Sequence, residues 1–502
     1  MKLLILLLLF LTTILHAQVG ISGTAGVSGN AGFAYTVTPI ISGVTASPDG
    51  NTVVVSWTTQ VEATTVLACG TISGTYNITG LNLWSGTAHQ SVCEGLAPST
   101  TYYFQVQSAN IIGNASTTGS STTTTLPTSI PITGVSVGSI SRLNTVSSPN
   151  AMNGDTYYNC NSNDGLTYLT IDDTNGFLSS VNSNMSLAKF TAELPFIGAS
   201  INGLSGFGTF GSTNGVDARS PKDAGLFCMA GNIIMFSGRQ LNSGGTIPVF
   251  TQTAGTVMWS PDHGATWNNF QNPSTFTTTG ALLSPTTTSM FAQSPSTWGS
   301  ATFVMYCGDD GTFGYTSTCN RQDNANAFIY AIANDGTWNN GNSFYLARVA
   351  RANVLNLVAS DWQCWTGGDG SVDTNWTNNF SSCAVLFTNT GKLGEPSVQF
   401  LPALNRYLLL TFYYPNGANN ANTVTWLAYE SPHPWGTWSL IGTINFTSSS
   451  TPPGAYNPIV LNDTAWSGTT PTIMFTGNFN NQSGYPTTDD YTLYYAPLTV
   501  TH

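Results

Sequence analysis

Ser260-Pro261-Asp262-His263-Gly264-Ala265-Thr266-Trp267 is the stretch on which the fold turns. Asp and Gly suit a tight turn, because Asp bonds its own backbone and Gly tolerates positive φ. Ser and Trp then fasten the flanking strands, the Trp by burying a large ring. The spacing predicts a hairpin that acts as a structural fastener. It argues for fold and says little about chemistry.

Working outward, strand signals and turn clusters alternate from about residue 135 onward, with no convincing amphipathic helix. Five units follow from the hairpins. The first runs from Asp155 through the turn Asn163-Asp164-Gly165 to Ile171. The second begins at Ala224 and closes with the 260–267 stretch. The third spans Ala301 to Val349, the fourth Pro396 to Trp438, and the last Tyr456 to Tyr495. Radial repetition lets a long antiparallel chain avoid exposed sheet edges. The 260–267 stretch resembles the Asp box of sialidase-type and other β-propellers, so the expected fold is all-β with a five-bladed propeller; six blades is the competing count.

Ahead of these units, residues 37–126 carry short alternating strands, among them Thr52 to Thr58 around Trp57. Gly95-Leu96-Ala97-Pro98-Ser99-Thr100-Thr101-Tyr102-Tyr103-Phe104-Gln105-Val106 resembles the fibronectin type III pattern, with Tyr102 or Tyr103 at the corner of strand F. The Thr-rich run Thr117 to Thr125 reads as a linker, with 127–134 leading into the propeller. Residues 18–36 read as a flexible lead-in. Lys2, the apolar Leu3 to Leu15 and Leu15-His16-Ala17 make a secretory signal, so a secreted, extracellular protein is expected.

Composition narrows the partners. Charged residues are 7% of the chain, against about 25% in an average soluble protein. The net charge of −12 argues against nucleic acid or an anionic membrane, both of which need basic patches. No membrane insertion is expected and a monomer is anticipated. Eight cysteines in a secreted chain favour pairing. The expected pairs are Cys69–Cys93, Cys307–Cys319, Cys364–Cys383 and the long-range Cys160–Cys228; buried thiols or another connectivity are the alternatives. No Cys-x-x-Cys is present, which excludes zinc-ribbon and thioredoxin-like readings.

The second domain also resembles a family of secreted five-bladed propellers long labelled a domain of unknown function, which includes endo-D-arabinanases. The resemblance is carried by Gly154-Asp155-Thr156-Tyr157, Asn163 to Tyr168, Ile171-Asp172-Asp173, Lys222 to Cys228, Phe344 to Val349, Gly394 to Val398 with Asn405 to Leu409, Glu430 to Trp438, and Asp490 to Ala496. It implies a glycoside hydrolase-like enzyme acting on a polysaccharide, an arabinan or related furanoside. It departs from the family in Tyr157, where Trp is expected, and in the acidic Glu395.

Histidine is scarce beyond the signal: His89, His263, His433 and His502. That leaves no transition-metal cluster and no credible Ser-His-Asp arrangement. Carboxylates are the remaining acid–base groups, and all but Asp49, Glu62 and Glu94 lie beyond residue 150. Glycoside hydrolysis needs one carboxyl group as acid and another as base or nucleophile. Asp155 opens the innermost strand of the first unit and is the base candidate, against a solvated strand-end Asp. Asp223, beside Lys222, is either a site acid held ionised or half of a surface ion pair. Asp309 and Asp310 follow the third inner strand, as a general acid, a turn or ligands of a structural calcium. Glu395 precedes the fourth inner strand, as a substrate contact or general acid or as a tolerated change. Asp172 and Asp173 stay ambiguous, while Asp164, Asp262 and Asp335 sit in turns. No cofactor is expected to be required. A non-catalytic glycan-binding or adhesion propeller is the alternative on the same scaffold.

Overall fold

A computed structural model describes residues 37–502 except 50–51, 94–95, 98–99, 111–112, 120, 125–128, 144–151, 178–181, 193–196, 204–219, 242–250, 270–289, 292–297, 306–327, 402, 417–422, 448, 451, 463–468 and 478–490. The signal and lead-in, residues 1–36, therefore lie outside the described residues. The chain is nearly all β, as expected. No helix among the described residues is long and apolar enough to cross a membrane.

The first domain joins β1 (Ile41–Asp49), β2 (Thr52–Gly70), β3 (Ile78–Cys93), β4 (Thr101–Ala109), β5 (Ala115–Thr117) and β6 (Ser121–Thr124). Alternation along β2 and β4 puts Val53, Val55, Trp57, Leu67, Phe104 and Val106 in one core. The first half of β2 pairs with β1 and its second half with β4, within one six-stranded sheet. Cys69 and Cys93 are disulfide-bonded across β2 and β3, with Cα atoms 6.4 Å apart. Tyr102, not Tyr103, turns inward, and its hydroxyl accepts from the Ala97 backbone N–H at 2.9 Å.

The Thr-rich run is not a linker. Thr117 pairs with Gln107 in β5–β4, and Thr122 to Thr124 pair with β4 through β6. Thr is a good strand former, and β4 offered an open edge to it. The connector beyond is not free either. The Ile130 N–H donates to the Leu404 carbonyl, and Ile132 is buried in the core of the second domain.

That second domain opens with β7 (Gly134–Val137), β8 (Ser141–Arg142) and β9 (Met152–Asp155). The first meander is β10 (Asn159–Asn161), β11 (Thr167–Phe177), β12 (Ser183–Ala192) and β13 (Ile197–Gly203). The second is β14 (Ser220–Met229), β15 (Asn232–Leu241), β16 (Thr251–Ser260) and β17 (Asn268–Asn269). The third is β18 (Ala301–Met305), β19 (Phe328–Asn334), β20 (Gly341–Ala350), β21 (Trp362–Trp365) and β22 (Trp376–Thr377), with β23 (Val385–Leu393) laid against β20. A fourth comprises β24 (Ser397–Leu401), β25 (Arg406–Tyr413), β26 (Val424–Ser431) and β27 (Ser439–Phe446). The last is β28 (Tyr456–Val460), β29 (Thr472–Gly477) and β30 (Thr492–Thr501).

Each meander is antiparallel, whereas β18 and β24 meet as a parallel pair, Val304 opposite Val398. The leading strands of the third and fourth meanders therefore run the same way. Strands from the start of the domain complete its last sheet: β7, β8 and β9 all pair with β30. The leading strands are also stitched by side chains. Gln399 donates to the Met305 carbonyl, Asn462 donates to Gln399, and Asn159 accepts from the Asn462 N–H and donates to the Val460 carbonyl. Cys160 on β10 is disulfide-bonded to Cys228 on β14, with Cα atoms 5.5 Å apart. Cys364 and Cys383 close a third bridge, while Cys307 and Cys319 lie outside the described residues.

Between β16 and β17 the 260–267 stretch forms a hairpin turn. Ser260 Oγ donates to Asp262 and accepts from the Gly264 N–H, so it braces the turn from within. Asp262 takes both the N–H and the hydroxyl of Thr266. His263 and Gly264 adopt the left-handed region, φ 55° and 95°, which the Gly tolerates without cost. Trp267 is fully buried and donates to the Gly264 carbonyl at 3.0 Å. The turn between β26 and β27 repeats the scheme: Ser431 braces His433, and Trp438 donates to the Pro434 carbonyl.

Candidate active site

Several polar side chains gather where leading strands begin. Asp155 ends β9 just ahead of β10, Lys222 sits near the start of β14, Glu395 lies two residues before β24, and Tyr456 opens β28. All four are buried. Charges in such a place need partners.

Asp155 meets two of its neighbours through backbone pairing. It lies directly opposite Asp172, because β9 pairs with β11. Gly154 permits this close approach. A Cβ there would fall 2.2 Å from the Ile171 side chain and 2.8 Å from that of Thr174. The register then slips between Asp172 and Gly176, and Asp173 takes φ 39°. A bulge breaks the strict alternation of faces, so consecutive acids can serve one site.

Lys222 receives them. Its Nζ lies 2.5 Å from Asp173 Oδ2, with side-chain exposures of 5% and 21%. Burial works to lower the lysine pKa, but Asp173, Asp172 and Asp155 together carry it above its usual value. Lys222 is therefore an ammonium ion facing three aspartates.

Asp155 has a second kind of partner. Tyr456 Oη donates to its Oδ2 at 2.8 Å. Burial pushes the phenols of Tyr157, Tyr414 and Tyr456 well above their usual range, and the negative field of Asp155 adds to each. These tyrosines stay neutral donors at any working pH. Tyr414 feels Glu395 as well as Asp155. The link is built from aromatic rings, since Trp338 packs on Tyr456 at 5.5 Å and on Tyr414 at 5.9 Å. Glu395 is anchored beside them, its N–H donating to the Trp338 carbonyl.

The expected site residues thus fall into three groups. Asp155 and Glu395 border one buried aromatic cluster. Asp223 is placed on β14 opposite Ser237, and its side chain is outside the described residues. Asp309 and Asp310 lie outside the described residues altogether. Among the described residues no group of three or more His, Cys, Asp and Glu could hold a metal ion. Asp164, Asp262 and Asp335 serve turns, accepting from Leu166, Thr266 and Asn342.

Sequence reasoning did not find Tyr414, Tyr456 or Trp338. An aromatic at the start of a strand carries no local sign that its hydroxyl meets a carboxylate some 300 residues away (sequence separation 301). Lys222 was visible only as the neighbour that either holds Asp223 ionised or makes a surface ion pair with it; its burial and its ion pair with Asp173 were not.

The family model described as "Domain of unknown function (DUF4185)" matches residues 233–485. The chain belongs to the DUF4185 family. Within this DUF4185 chain the matched span includes Trp338, Glu395, Tyr414 and Tyr456, while Asp155, Asp172, Asp173 and Lys222 precede it. No curated protein matches the chain. Among solved structures it is similar to the catalytic domain of a GH62 α-L-arabinofuranosidase from Coprinopsis cinerea, with 13% identity and a TM-score of 0.36 over 74% of this chain and 98% of that one. It is also similar to an α-L-arabinofuranosidase from Lactobacillus brevis, with 11% identity and a TM-score of 0.37 over 70% and 91%. A family 117 glycoside hydrolase from Zobellia galactanivorans gives 9% identity and a TM-score of 0.37 over 73% and 90%.

Proposed function

We propose that this DUF4185 chain is a secreted, glycoside hydrolase-like β-propeller of five blades behind a fibronectin type III-like domain. The five meanders would supply the blades, and β7 to β9 would complete the last of them on β30. Its substrate is an extracellular polysaccharide, an arabinan or related furanoside. Asp155 acts as the base and Glu395 as the general acid.

The observation that carries the reading is the aromatic link between two acids distant in sequence: Trp338 packs on both Tyr414 and Tyr456, the Tyr456 hydroxyl donates to Asp155, and the Trp338 carbonyl accepts from the Glu395 N–H. Two carboxyl groups in different surroundings are what glycoside hydrolysis needs, one kept as the base and one able to deliver a proton. Asp155 lies among Tyr456, Asp172 and Lys222, whereas Glu395 is held through its backbone N–H on the Trp338 carbonyl, on a different segment of the chain. Disulfides at Cys69–Cys93, Cys160–Cys228 and Cys364–Cys383 suit an oxidising, extracellular compartment.

A reducing-sugar assay on arabinans, other furanosides and sialosides tests this. Release of reducing ends by the wild type, abolished in Asp155→Asn and in Glu395→Gln, is the expected result. One specific observation favours a second reading, a glycan-binding propeller without turnover: Asp155 and Glu395 are only 6% and 1% exposed. Binding of a glycan from the panel with no hydrolysis by the wild type would establish that reading instead.

A further inference from the structure

A lysine is almost never buried without partners. Lys222 has three acidic ones, and their arrangement has a direction to it. Asp155 and Asp172 stand opposite each other on paired strands, where like charges repel. Neither belongs to the strand that carries Lys222, yet β14 packs beside β11 and β10 and brings the ammonium up to both. Asp173, in its left-handed conformation, grips the lysine at 2.5 Å and fixes where its Nζ sits.

We infer that Lys222 is a positioning residue, the shared counter-ion that holds Asp155 and Asp172 together as carboxylates on one face of β9 and β11, with Asp173 as its clamp. The inference rests on the proposed function only in giving Asp155 a substrate to act on.

The groups that face this cluster are few. Asp155 comes from β9, Asp172 and Asp173 from β11, Tyr456 from β28, Tyr157 from the segment after β9, Tyr414 from the end of β25 and Glu395 from the segment before β24. Among the described residues named here, Lys222 is the cation. The tyrosines are neutral, so removing Lys222 would take its positive charge away from the adjacent carboxylates while the tyrosine donor to Asp155 remains. One of them would then keep its proton to a higher pH.

The test compares full-length wild type with Lys222→Arg and Lys222→Met. On a substrate found in the panel, Lys222→Met should move the acid limb of the pH profile of kcat/KM up by about one unit or more. Lys222→Arg should restore the wild-type limb. A lower rate with an unmoved limb would make Lys222 a merely structural residue and overturn the inference. If the wild type hydrolyses nothing in the panel, the proposed function has failed, and the melting temperature as a function of pH decides the inference. Relative to wild type and Lys222→Arg, Lys222→Met should then gain melting temperature as pH falls from 7 to 5, because protonation relieves the paired acids. Identical profiles would overturn it. If Lys222→Met does not fold, the charge-balanced Lys222→Met/Asp172→Asn variant takes its place: recovered soluble protein supports the inference, and continued failure overturns it.

Discussion

Asp155 and Asp172 stand opposite each other on paired antiparallel strands, with the ammonium of Lys222 acting on both. An acid placed this way is costly to keep unless it has work to do or a cation to meet. The geometry supplies the cation and a tyrosine donor, and the proposed chemistry supplies the work.

Asp155→Asn should lower turnover by about a thousandfold, the middle of the range for losing a general base. The melting temperature should change little, because the amide still accepts from Tyr456 and leaves one negative charge fewer beside Asp172. Steady-state kinetics and thermal unfolding on the same preparation check this. A large fall in melting temperature would make Asp155 a residue of the scaffold.

Truncation tests how the domains are joined. A chain beginning at Ser129 keeps the Ile130–Leu404 hydrogen bond, the buried Ile132 and β7, and should be soluble and cooperatively folded. A chain beginning at Leu143 lacks β7 and β8, strips two partners from β30 and should be insoluble or molten. Equal solubility of the two would show that β7 contributes nothing.

The two described disulfides beyond residue 135 should differ in worth. Cys160–Cys228 spans 68 residues and Cys364–Cys383 spans 19. The chain-entropy argument gives about 4 kcal/mol for the first and about 3 kcal/mol for the second. Paired Cys→Ala variants should show this order in their urea midpoints.

Asp262 should make the 260–267 turn sensitive to acid. Burial acts to raise its pKa, but the backbone and side chain of Thr266, Ser260 and its own N–H outweigh this and hold it below the usual carboxylate value. A depressed folded pKa means stability that is present above the unfolded value of about 3.9 and lost as pH falls through the folded one. Wild type should therefore melt above Asp262→Ala at pH 6 to 7, with the gap closing below about pH 4. A gap independent of pH would assign the effect to packing alone.

Much of the fold was legible because its signals are local. The apolar runs Ile459 to Leu461 and Tyr407 to Leu410 are a property of a few adjacent residues, and Asp262 and Gly264 carry their own turn. The pairs Cys69–Cys93 and Cys364–Cys383 are close in sequence. What escaped depends on register. The Thr-rich run was misread because Thr serves a linker and an edge strand equally well, and the open edge of β4 decided between them. The meeting of Asp155 with Asp172 depends on Gly154 and on the slip between Asp172 and Gly176. The role of Tyr456 depends on contact between distant parts of the chain. Of the site, sequence could name acids but not the neighbours that set their charge.

The pairing of β7 with β30 has a consequence for biosynthesis. β7 emerges from the ribosome early and must wait until β30 has been made at the far end of the sequence. At about 5–20 residues per second this is a long time for an unpaired edge to stay exposed. The sequence meets that interval with a short strand, Gly-Val-Ser-Val, rather than a long apolar one. β9, which carries Asp155, gains its pairing to β30 through Asn153 and Thr492 only at the same late step, and the Tyr456 donor to Asp155 also comes from late in the chain.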